Sequence, residues 1–396
     1  MYALFIQELD FQTFSLIRNG ANIKQGLDDS GYPITRIETI SNRTVDRDKM
    51  GYAGITDITK YSDYVLQDGD ILMSHINSET HLGKVARYEK YEGETIIHGM
   101  NLLCLRPNKN LVDSRYAFYY LSSEAFLHQI PRITKKSVNQ ASFNVAALKE
   151  LTFPISSMEV QQPVADILDK ANELIALRKE QLAKLDELVK ARFVEMFGIY
   201  PANPKGWETG TIRDVVSDVR YGSSRPAVDG GKYPYLRMNN ITYGGELDLS
   251  DTKRIDIPDN ELDKCTVRRG DVLFNRTNSK ELVGKTCVYN RDDMMVLAGF
   301  VIRVRVSERI LPEFLSEFLN TEFSKQMLLA MCKTAIGQAN INAQEMQNIG
   351  LYLPPIELQR KFVQFKEQTD KSKVAVQKAL DEAQLLFDSL MQKYFG

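Results

Sequence analysis

Apolar residues in two stretches of this chain recur at steps of three and four, which predicts two long amphipathic helices. The first stretch runs from Met158 to Phe197, contains no glycine, and has one proline, Pro163, near its start. Its apolar positions form a heptad seam that is interrupted by Arg178 and Arg192. The members of this seam are Val164, Leu168, Ala171, Ile175, Leu182, Leu185, Val189 and Met196.

Both predicted helices carry signals at their ends. Ser156-Ser157-Met158-Glu159 has the form of a capping box, and Gly198 is of the residue type that ends helices. Pro354-Pro355 begins the second stretch, and Glu357 lies in its first turn, where the helix dipole favours a carboxylate. The second seam consists of Phe362, Phe365, Thr369, Ser372, Val376, Ala379, Ala383, Leu386, Leu390 and Tyr394.

Each of these helices is too long to bury its apolar stripe alone. About 40 residues at about 1.5 Å each give a rod of about 60 Å. The predicted partner of each helix is the other one, in an antiparallel coiled coil related by an internal pseudo-two-fold. The alternative is that each helix folds back on its own globular domain.

The remainder of the chain predicts short strands and is duplicated. Short β-branched and aromatic runs alternate with Gly, Asn, Asp and Pro, as in a mixed α/β domain. Several segments recur in order about 200 residues later, far beyond the period of solenoid repeats, so each unit should be a domain with its own core. The matching segments include Tyr32–Arg36 with Tyr233–Arg237, Gly69–Leu72 with Gly270–Leu273, Asn77-Ser78 with Asn278-Ser279, Gly83-Lys84 with Gly284-Lys285, and Gln140–Asn144 with Gln338–Asn342.

The sequence therefore predicts an α+β protein with two homologous mixed α/β domains and two long antiparallel coiled-coil helices. The predicted segments are a first domain at 1–155, a central helix at 156–198, a second domain at 199–353 and a last helix at 354–396.

Composition excludes several classes of protein. A net charge of −2 means that any binding to a polyanion must come from local basic patches. The four cysteines lack C-x-x-C spacing, and His75 and His81 have no third ligand nearby, so no metal site is predicted. Residues 1–14 are only briefly apolar and include Glu8 and Asp10, which favours neither a signal peptide nor a membrane span and predicts a cytoplasmic protein.

Leu353-Pro354-Pro355-Ile356-Glu357-Leu358-Gln359-Arg360 closely resembles the opening of the conserved helices in type I restriction-modification specificity subunits. The terminal Phe-Gly is similar to that family too, as is the Gly-Asp strand followed by a polar loop. The resemblance covers the whole chain, because each half shows it separately. The first half departs from the pattern, because Ser156-Ser157 stand in place of Pro-Pro and Gln161-Gln162 in place of Gln-Arg.

The resemblance implies two target recognition domains, each followed by a conserved helix. It also implies double-stranded DNA, two methyltransferase subunits and one or two restriction (motor-nuclease) subunits as partners. S-adenosylmethionine, ATP and Mg are expected on those partners, with no cofactor bound by this chain. Two homologous domains with different loops would read a split, asymmetric site, with an unread spacer whose length follows the length of the helices.

Candidate DNA contacts are side chains that can read bases or hold phosphates, in loops at corresponding positions of the two halves. The alternative is that they are ordinary solvated turn residues, and that Asn144 and Asn342 are structural caps. In the first half we predict His75, Asn77, Ser78, Lys84, Lys135, Lys136, Gln140 and Asn144. In the second half we predict Arg225, Asn275, Arg276, Asn278, Ser279, Lys285, Lys333, Gln338 and Asn342.

Catalytic motifs are incomplete, which predicts a subunit that is not an enzyme. Val283-Gly284-Lys285-Thr286 lacks the upstream glycine of a phosphate-binding loop, because position 279 is serine. The Pro-Pro at 354–355 has no methyltransferase context, and no G-x-G-x-x-G follows a strand. Two functions remain open: a DNA-reading specificity subunit that positions an N6-adenine methyltransferase, and a coiled-coil scaffold that spaces two protein-binding domains without nucleic acid.

Overall fold

A computed structural model describes residues 5–8, 13–24, 26, 30–40, 43–138, 140–335 and 338–396 of the chain. The chain divides into two compact units. The first unit consists of Met1–Lys179 together with Lys378–Gly396, and the second unit consists of Glu180–Gln377. Each unit therefore combines the whole range of one predicted domain with parts of both long helices.

The described part of the first unit contains the strands β1 (Phe5–Glu8), β2 (Phe14–Asn19), β3 (Ile71–Ser74), β4 (Ile76–Asn77), β5 (Val85–Arg87), β6 (Leu102–Pro107), β7 (Lys135–Lys136), β8 (Ala141–Ser142) and β9 (Thr152–Ile155). These strands form antiparallel sheets. The four-stranded sheet has the order β2-β6-β3-β5, a three-stranded sheet has the order β4-β8-β7, and β1 pairs with β9.

The second unit repeats this topology. Its strands are β10 (Glu208–Thr211), β11 (Val216–Tyr221), β12 (Tyr233–Leu236), β13 (Lys253–Ile255), β14 (Thr266–Val267), β15 (Val272–Asn275), β16 (Thr277–Asn278), β17 (Thr286–Val288), β18 (Met295–Leu297), β19 (Val301–Val306), β20 (Lys333–Ala335), β21 (Gln338–Asn340) and β22 (Gly350–Leu353). The orders β11-β19-β15-β17, β16-β21-β20 and β10-β22 correspond strand by strand to the first unit. The predicted homology of the two domains is confirmed.

One sheet of the second unit is represented in the first unit only by isolated bridges. Strands β13-β12-β18-β14 form a four-stranded sheet in which β12 and β18 run parallel. At the corresponding place the first unit has isolated bridges that join Ile34 to Gly51 and Ile97, and Val65 to Ile97. The same pairing scheme thus holds both units, with fewer hydrogen bonds in the first.

The α-helices in the described ranges are α1 (Ser114–Ser122), α2 (Glu124–Leu127), α3 (Ile130–Ile133), α4 (Val145–Leu148), α5 (Met158–Phe197), α6 (Asp259–Cys265), α7 (Pro312–Asn320), α8 (Glu322–Met331), α9 (Ala343–Gln347) and α10 (Ile356–Phe395). Short 3₁₀ helices lie at Ile37–Ile40, Arg47–Lys49, Thr59–Tyr64, Glu79–His81, Ile212–Val215 and Met238–Asn240. The two predicted long helices, α5 and α10, each span 40 residues.

The predicted seam of α5 is confirmed, because every one of its apolar members is buried or half-buried. The prediction for α10 is wrong at two positions: Ser372 and Leu386 are exposed, and the neighbouring Lys373 and Phe387 turn inward instead. The predicted capping box is misplaced by one residue. Ser157, and not Ser156, provides the carbonyl oxygen that accepts the first helical hydrogen bonds.

The long helices pair antiparallel and also complete the domain cores. In the second unit the ring of Phe193, late in α5, lies 5.2 Å from that of Phe362, early in α10. In the first unit Leu168, early in α5, belongs to the same core as Phe395, the last residue of α10. The predicted helix–helix pairing is therefore present, and so is the alternative, because each long helix also packs on the globular domains.

The repeated Gly-Asp pair forms a buried anchor in each sheet. The Asp70 carboxylate accepts two hydrogen bonds of 2.7 Å from Arg106 on the neighbouring strand. Asp271 receives Arg305 in the same way, at 2.8 and 3.4 Å. Both aspartates are about 1% exposed, so the ion pair compensates the cost of burying each carboxylate.

Candidate nucleic-acid interface

The small three-stranded sheet of each unit brings two predicted clusters together. In the first unit β4, which carries Asn77, pairs with β8, and β8 pairs with the Lys135–Lys136 strand. In the second unit β16, which carries Asn278, pairs with β21, and β21 pairs with the strand that begins at Lys333. Residues that are about 60 positions apart in the sequence thus lie on neighbouring strands.

A pair of backbone hydrogen bonds closes the loop of each unit at its base. We call residues 75–83 the first loop and residues 276–284 the second loop. Ser74 exchanges bonds of 2.9 Å with Gly83 and Lys84, and Asn275 exchanges bonds of 2.8 Å with Gly284 and Lys285. Gly83 and Gly284 have φ of +74° and +83°, which explains why glycine recurs there.

The repeated Asn-Ser pair has a local role in each loop. The Asn77 side-chain oxygen accepts the backbone N–H of Ser78 at 2.7 Å, and Asn278 accepts that of Ser279 at 2.8 Å. Each asparagine thereby fixes the turn that follows its strand. The two loops share this framework and differ in the side chains that they display.

The predicted site residues fall into three groups by exposure. The exposed group is Ser78, Lys135, Lys136, Gln140, Asn144, Arg225, Lys333 and Gln338. The half-buried group is Asn77, Lys84, Arg276, Asn278, Ser279 and Asn342. The buried group is His75, Asn275 and Lys285.

Burial favours a structural role over the predicted DNA contact for the third group. Desolvation lowers the pKa of His75 to about 4, so this ring is neutral at pH 7. The Lys285 ammonium donates to the Met238 carbonyl oxygen at 3.1 Å, and burial lowers its pKa. The Asn275 amide reaches the same oxygen at 3.4 Å.

Asn144 and Asn342 are helix caps, as the structural alternative for them predicts. The Asn144 side-chain oxygen accepts the N–H of Ala147 at 2.8 Å at the start of α4. Asn342 accepts the N–H of Glu345 at 2.9 Å, and the Glu345 carboxylate accepts the N–H of Asn342 in return. Capping accounts for the recurrence of these asparagines without any ligand.

Surface partners hold most of the exposed cations. Lys136 pairs with Glu79 at 2.7 Å, Lys333 with Glu345 at 2.6 Å, and Arg225 with Glu261 at 2.7 Å. Exposed ion pairs of this kind contribute little to stability, because water and salt screen them. A phosphate group can therefore replace the carboxylate at little cost.

A cavity of about 150 Å³ beside the second loop is lined by Lys285 and by Lys325 of α8. The Lys325 ammonium donates to the Tyr243 carbonyl oxygen at 2.8 Å and lies 3.6 Å from the centre of the Tyr243 ring. Burial lowers the pKa of Lys325 to about 8. No sequence signal pointed to Lys325, because it lies 41 residues after the end of the second loop, on a helix with its own apolar face.

Sequence reasoning also missed the neighbours of Arg276. Tyr221, Asn340 and Phe300 surround its guanidinium and backbone. Phe300 is 50% exposed, and the register of the matched strands places Asn101 at the corresponding position of the first unit. Only the pairing of distant strands shows that these residues are neighbours.

Within the described ranges, no group of three or more His, Cys, Asp or Glu is arranged to hold a metal ion. In that same part of the chain, no helix combines the length and the apolarity needed to cross a membrane.

Comparison with known proteins shows the family. The family model described as the type I restriction modification DNA specificity domain matches residues 14–187 and again residues 204–383. The chain therefore belongs to the type I restriction-modification specificity subunit family. The two separate matches agree with the duplication seen in the sequence and in the sheets.

Individual relatives are similar over different lengths. The putative type I restriction enzyme MjaX specificity subunit of Methanocaldococcus jannaschii is 40% identical over 203 residues, which are 51% of this chain and 48% of that protein. The chain thus spans about half the length of this relative. The EcoKI specificity subunit of Escherichia coli is 22% identical over 390 residues, which are 93% of this chain and 82% of that protein.

Solved structures show the same fold. The type I restriction-modification S subunit from M. genitalium aligns with a TM-score of 0.57 at 16% identity, over 100% of this chain and 97% of that chain. A chain from a study of complex assembly and conformational transition of the type I restriction-modification system aligns with a TM-score of 0.58 at 16% identity, over 100% and 99%.

Proposed function

We propose that this chain binds double-stranded DNA at a bipartite, asymmetric sequence and positions methyltransferase subunits on it. The observation that carries the proposal is the pair of loops, which have one backbone framework and different side chains. The first loop begins with His75 where the second loop begins with Arg276. Two loops that share a backbone framework and differ in their side chains are suited to recognise two different half-sites.

The proposed contacts are the exposed and half-buried members of the predicted set other than the helix caps Asn144 and Asn342. Lys135, Lys136 and Lys333 hold phosphates, because an ammonium on a flexible stem suits a point charge better than a base edge. Asn77, Asn278 and Gln338 belong to the residue types that read bases. The net charge of −2 makes this local placement of cations necessary for attraction to DNA.

The chemistry belongs to the partners in this proposal. Two N6-adenine methyltransferase subunits transfer the methyl group of S-adenosylmethionine, and restriction subunits use ATP and Mg for cleavage. This chain recognises the target sequence, and the motifs tested for those reactions are incomplete in it.

Long-read detection of N6-methyladenine in cells that carry the intact system tests the proposal. The expected result is one split motif with two specified parts and an unread spacer. Exchange of residues 1–155 for those of another specificity subunit should change one part of the motif only. A change in both parts, or methylation without a split motif, would contradict the proposal.

Binding measurements separate DNA reading from the scaffold alternative. The chain in complex with its methyltransferase should bind duplex DNA with an affinity that falls steeply with salt, because phosphate contacts release counterions. A scaffold would retain its protein partners independently of salt and would not retain DNA.

A further inference from the structure

Among the residues that the structure describes, no carboxylate forms an ion pair with the Arg276 guanidinium of the second loop. Arg276 follows β15 directly and is half-buried, and across the residues that the structure describes its side-chain hydrogen bonds go to an amide and to a backbone carbonyl. Other arginines of this unit are neutralised: Arg225 pairs with Glu261 and Arg237 with Asp251, at 2.7 and 2.8 Å.

Three contacts fix the orientation of the Arg276 guanidinium. Its central carbon lies 4.9 Å from the centre of the Tyr221 ring, and Nη2 donates to the Asn340 side-chain oxygen at 3.1 Å. Nη1 is 3.5 Å from the Gly299 carbonyl oxygen. The Asn340 amide donates to the Thr277 hydroxyl at 2.8 Å, so the oxygen that receives Arg276 is itself held in place.

The backbone of Arg276 is tied on both sides. Its N–H donates to the carbonyl oxygen of Phe300 at 3.0 Å, and its own carbonyl oxygen accepts the N–H of Ile341 at 2.9 Å. The Phe300 side chain, adjacent to this bond, is half exposed. A guanidinium that is already held in place loses little side-chain entropy on binding.

We infer that Arg276 reads a guanine in the half-site bound by the second unit. Arginine donates two hydrogen bonds to O6 and N7 of guanine in the major groove, and this is the commonest specific contact between a side chain and a base. The guanidinium has five N–H donors, of which the one on Nε is buried. Nη1 and Nη2 each use one N–H in the structure, so each keeps a second N–H for a base. This inference rests on the proposed function and adds the base and the residue that reads it.

The first unit lacks this reader. His75 occupies the corresponding position, is 6% exposed, and is uncharged at pH 7 because burial lowers its pKa to about 4. The half-site of the first unit is therefore read by other residues. A difference at one matched position gives the recognised sequence part of its asymmetry.

Mapping of N6-methyladenine with Arg276 variants tests the inference in the intact system. In the half-site that survives exchange of residues 1–155, the wild-type motif should contain an invariant G·C pair. Arg276→Gln should relax that position, so that discrimination against other bases falls by about tenfold to hundredfold, and should leave the other half-site unchanged. Arg309→Ala is the matched control, since this exposed arginine of the same unit pairs with Glu208 at 2.6 Å, and its motif should be unaltered.

A modified base separates hydrogen bonding from folding. Replacing the guanine by 7-deazaguanine removes the N7 acceptor and keeps Watson–Crick pairing. The wild-type complex should bind this duplex about tenfold more weakly, and the Arg276→Gln complex should bind both duplexes equally. If the variant does not fold, the wild-type comparison alone remains decisive.

The possible outcomes separate the two proposals. A split motif with no invariant guanine in the half-site of the second unit, or no loss of affinity with 7-deazaguanine at any position there, overturns the role of Arg276 and leaves the proposed function intact. Absence of any split motif overturns the proposed function itself.

Discussion

Gln161 and Gln359 lie 198 residues apart and make the same three hydrogen bonds, each in its own unit. The Gln161 side-chain oxygen accepts the N–H of Asp113 at 2.9 Å, and its amide donates to the carbonyl oxygens of Leu111 and Ser156. The Gln359 side chain does the same with Leu311, Arg309 and Pro354. Each glutamine is fully buried and joins the start of a long helix to the start of α1 or α7.

Loss of one of these glutamines should destabilise its unit. Gln161→Ala leaves a buried N–H and two carbonyl oxygens without their partner, and each unsatisfied buried group costs about 1–3 kcal/mol. We expect a loss of at least about 2 kcal/mol in the free energy of unfolding, measured by urea titration. The neighbouring Gln162 is exposed, so Gln162→Ala should have an effect below about 0.5 kcal/mol. Equal effects of both variants would exclude the proposed role of the buried amide.

Glu94 should make the first unit sensitive to acid. Hydrogen bonds from Arg47, at 2.7 and 3.0 Å, are the main cause that lowers the pKa of Glu94 from 4.5 to about 2. A carboxylate whose pKa is lower in the folded state stabilises the protein above its unfolded pKa of about 4.5, and this stability is lost as the pH falls towards 2.

The measurement compares unfolding free energies of the wild type and Glu94→Gln at two pH values. The advantage of the wild type over Glu94→Gln should shrink by about 2 kcal/mol between pH 7 and pH 3. Glu92→Gln, at an exposed position two residues away, is the control, and its difference from the wild type should not change. A gap for Glu94→Gln that is independent of pH would mean that the Arg47 bonds do not favour the ionised form.

The aromatic contact between the long helices should dominate the stability of the second unit. Phe193 is 1% exposed, and its ring lies 4.9–5.3 Å from those of Phe197, Phe314 and Phe362. Phe193→Ala should cost about 3–5 kcal/mol, because it removes buried area and leaves a cavity. Leu188→Ala, on the same helix at 48% exposure, should cost less than about 1 kcal/mol. Thermal unfolding of both variants measures the two losses of stability. Similar losses in the two variants would refute the prediction.

Lys135 should increase the affinity for duplex DNA of any sequence. It is exposed on β7, beside the strand that pairs with the first loop. Lys135→Ala should weaken binding to all duplexes by a similar factor and reduce the slope of log affinity against log salt by about 1. Lys170→Ala, at an exposed position on α5, should leave the slope unchanged. Altered base preference in Lys135→Ala would show instead that this lysine reads a base.

The long helices were predictable because their burial follows local spacing. The α5 seam depends on steps of three and four that the sequence shows directly. The α10 seam fails at Ser372 because Lys373 turns inward, where it forms ion pairs with Asp186 of α5 and with Glu246. Apolar spacing cannot show an inward lysine, since the stabilising partners come from elsewhere in the chain.

The candidate site was only partly predictable. The loops were found because matched polar residues recur in both halves, but the same signal selected the caps Asn144 and Asn342 and the buried Lys285. A polar residue recurs wherever the two halves share a local geometry, whether that geometry serves folding or binding. The contact between Arg276 and Asn340 joins residues 64 positions apart, and it depends on the pairing of β16 with β21, which the sequence pattern did not specify.

The position of Phe395 sets the order in which the protein can mature during translation. Its ring packs against Tyr116 and Tyr120, at 5.1 and 5.9 Å, in the core of the first unit. The ribosome completes the strands and short helices of that unit some 240 codons before it reaches this phenylalanine. The aromatic core of the first unit therefore stays incomplete until all of the second unit has been synthesised.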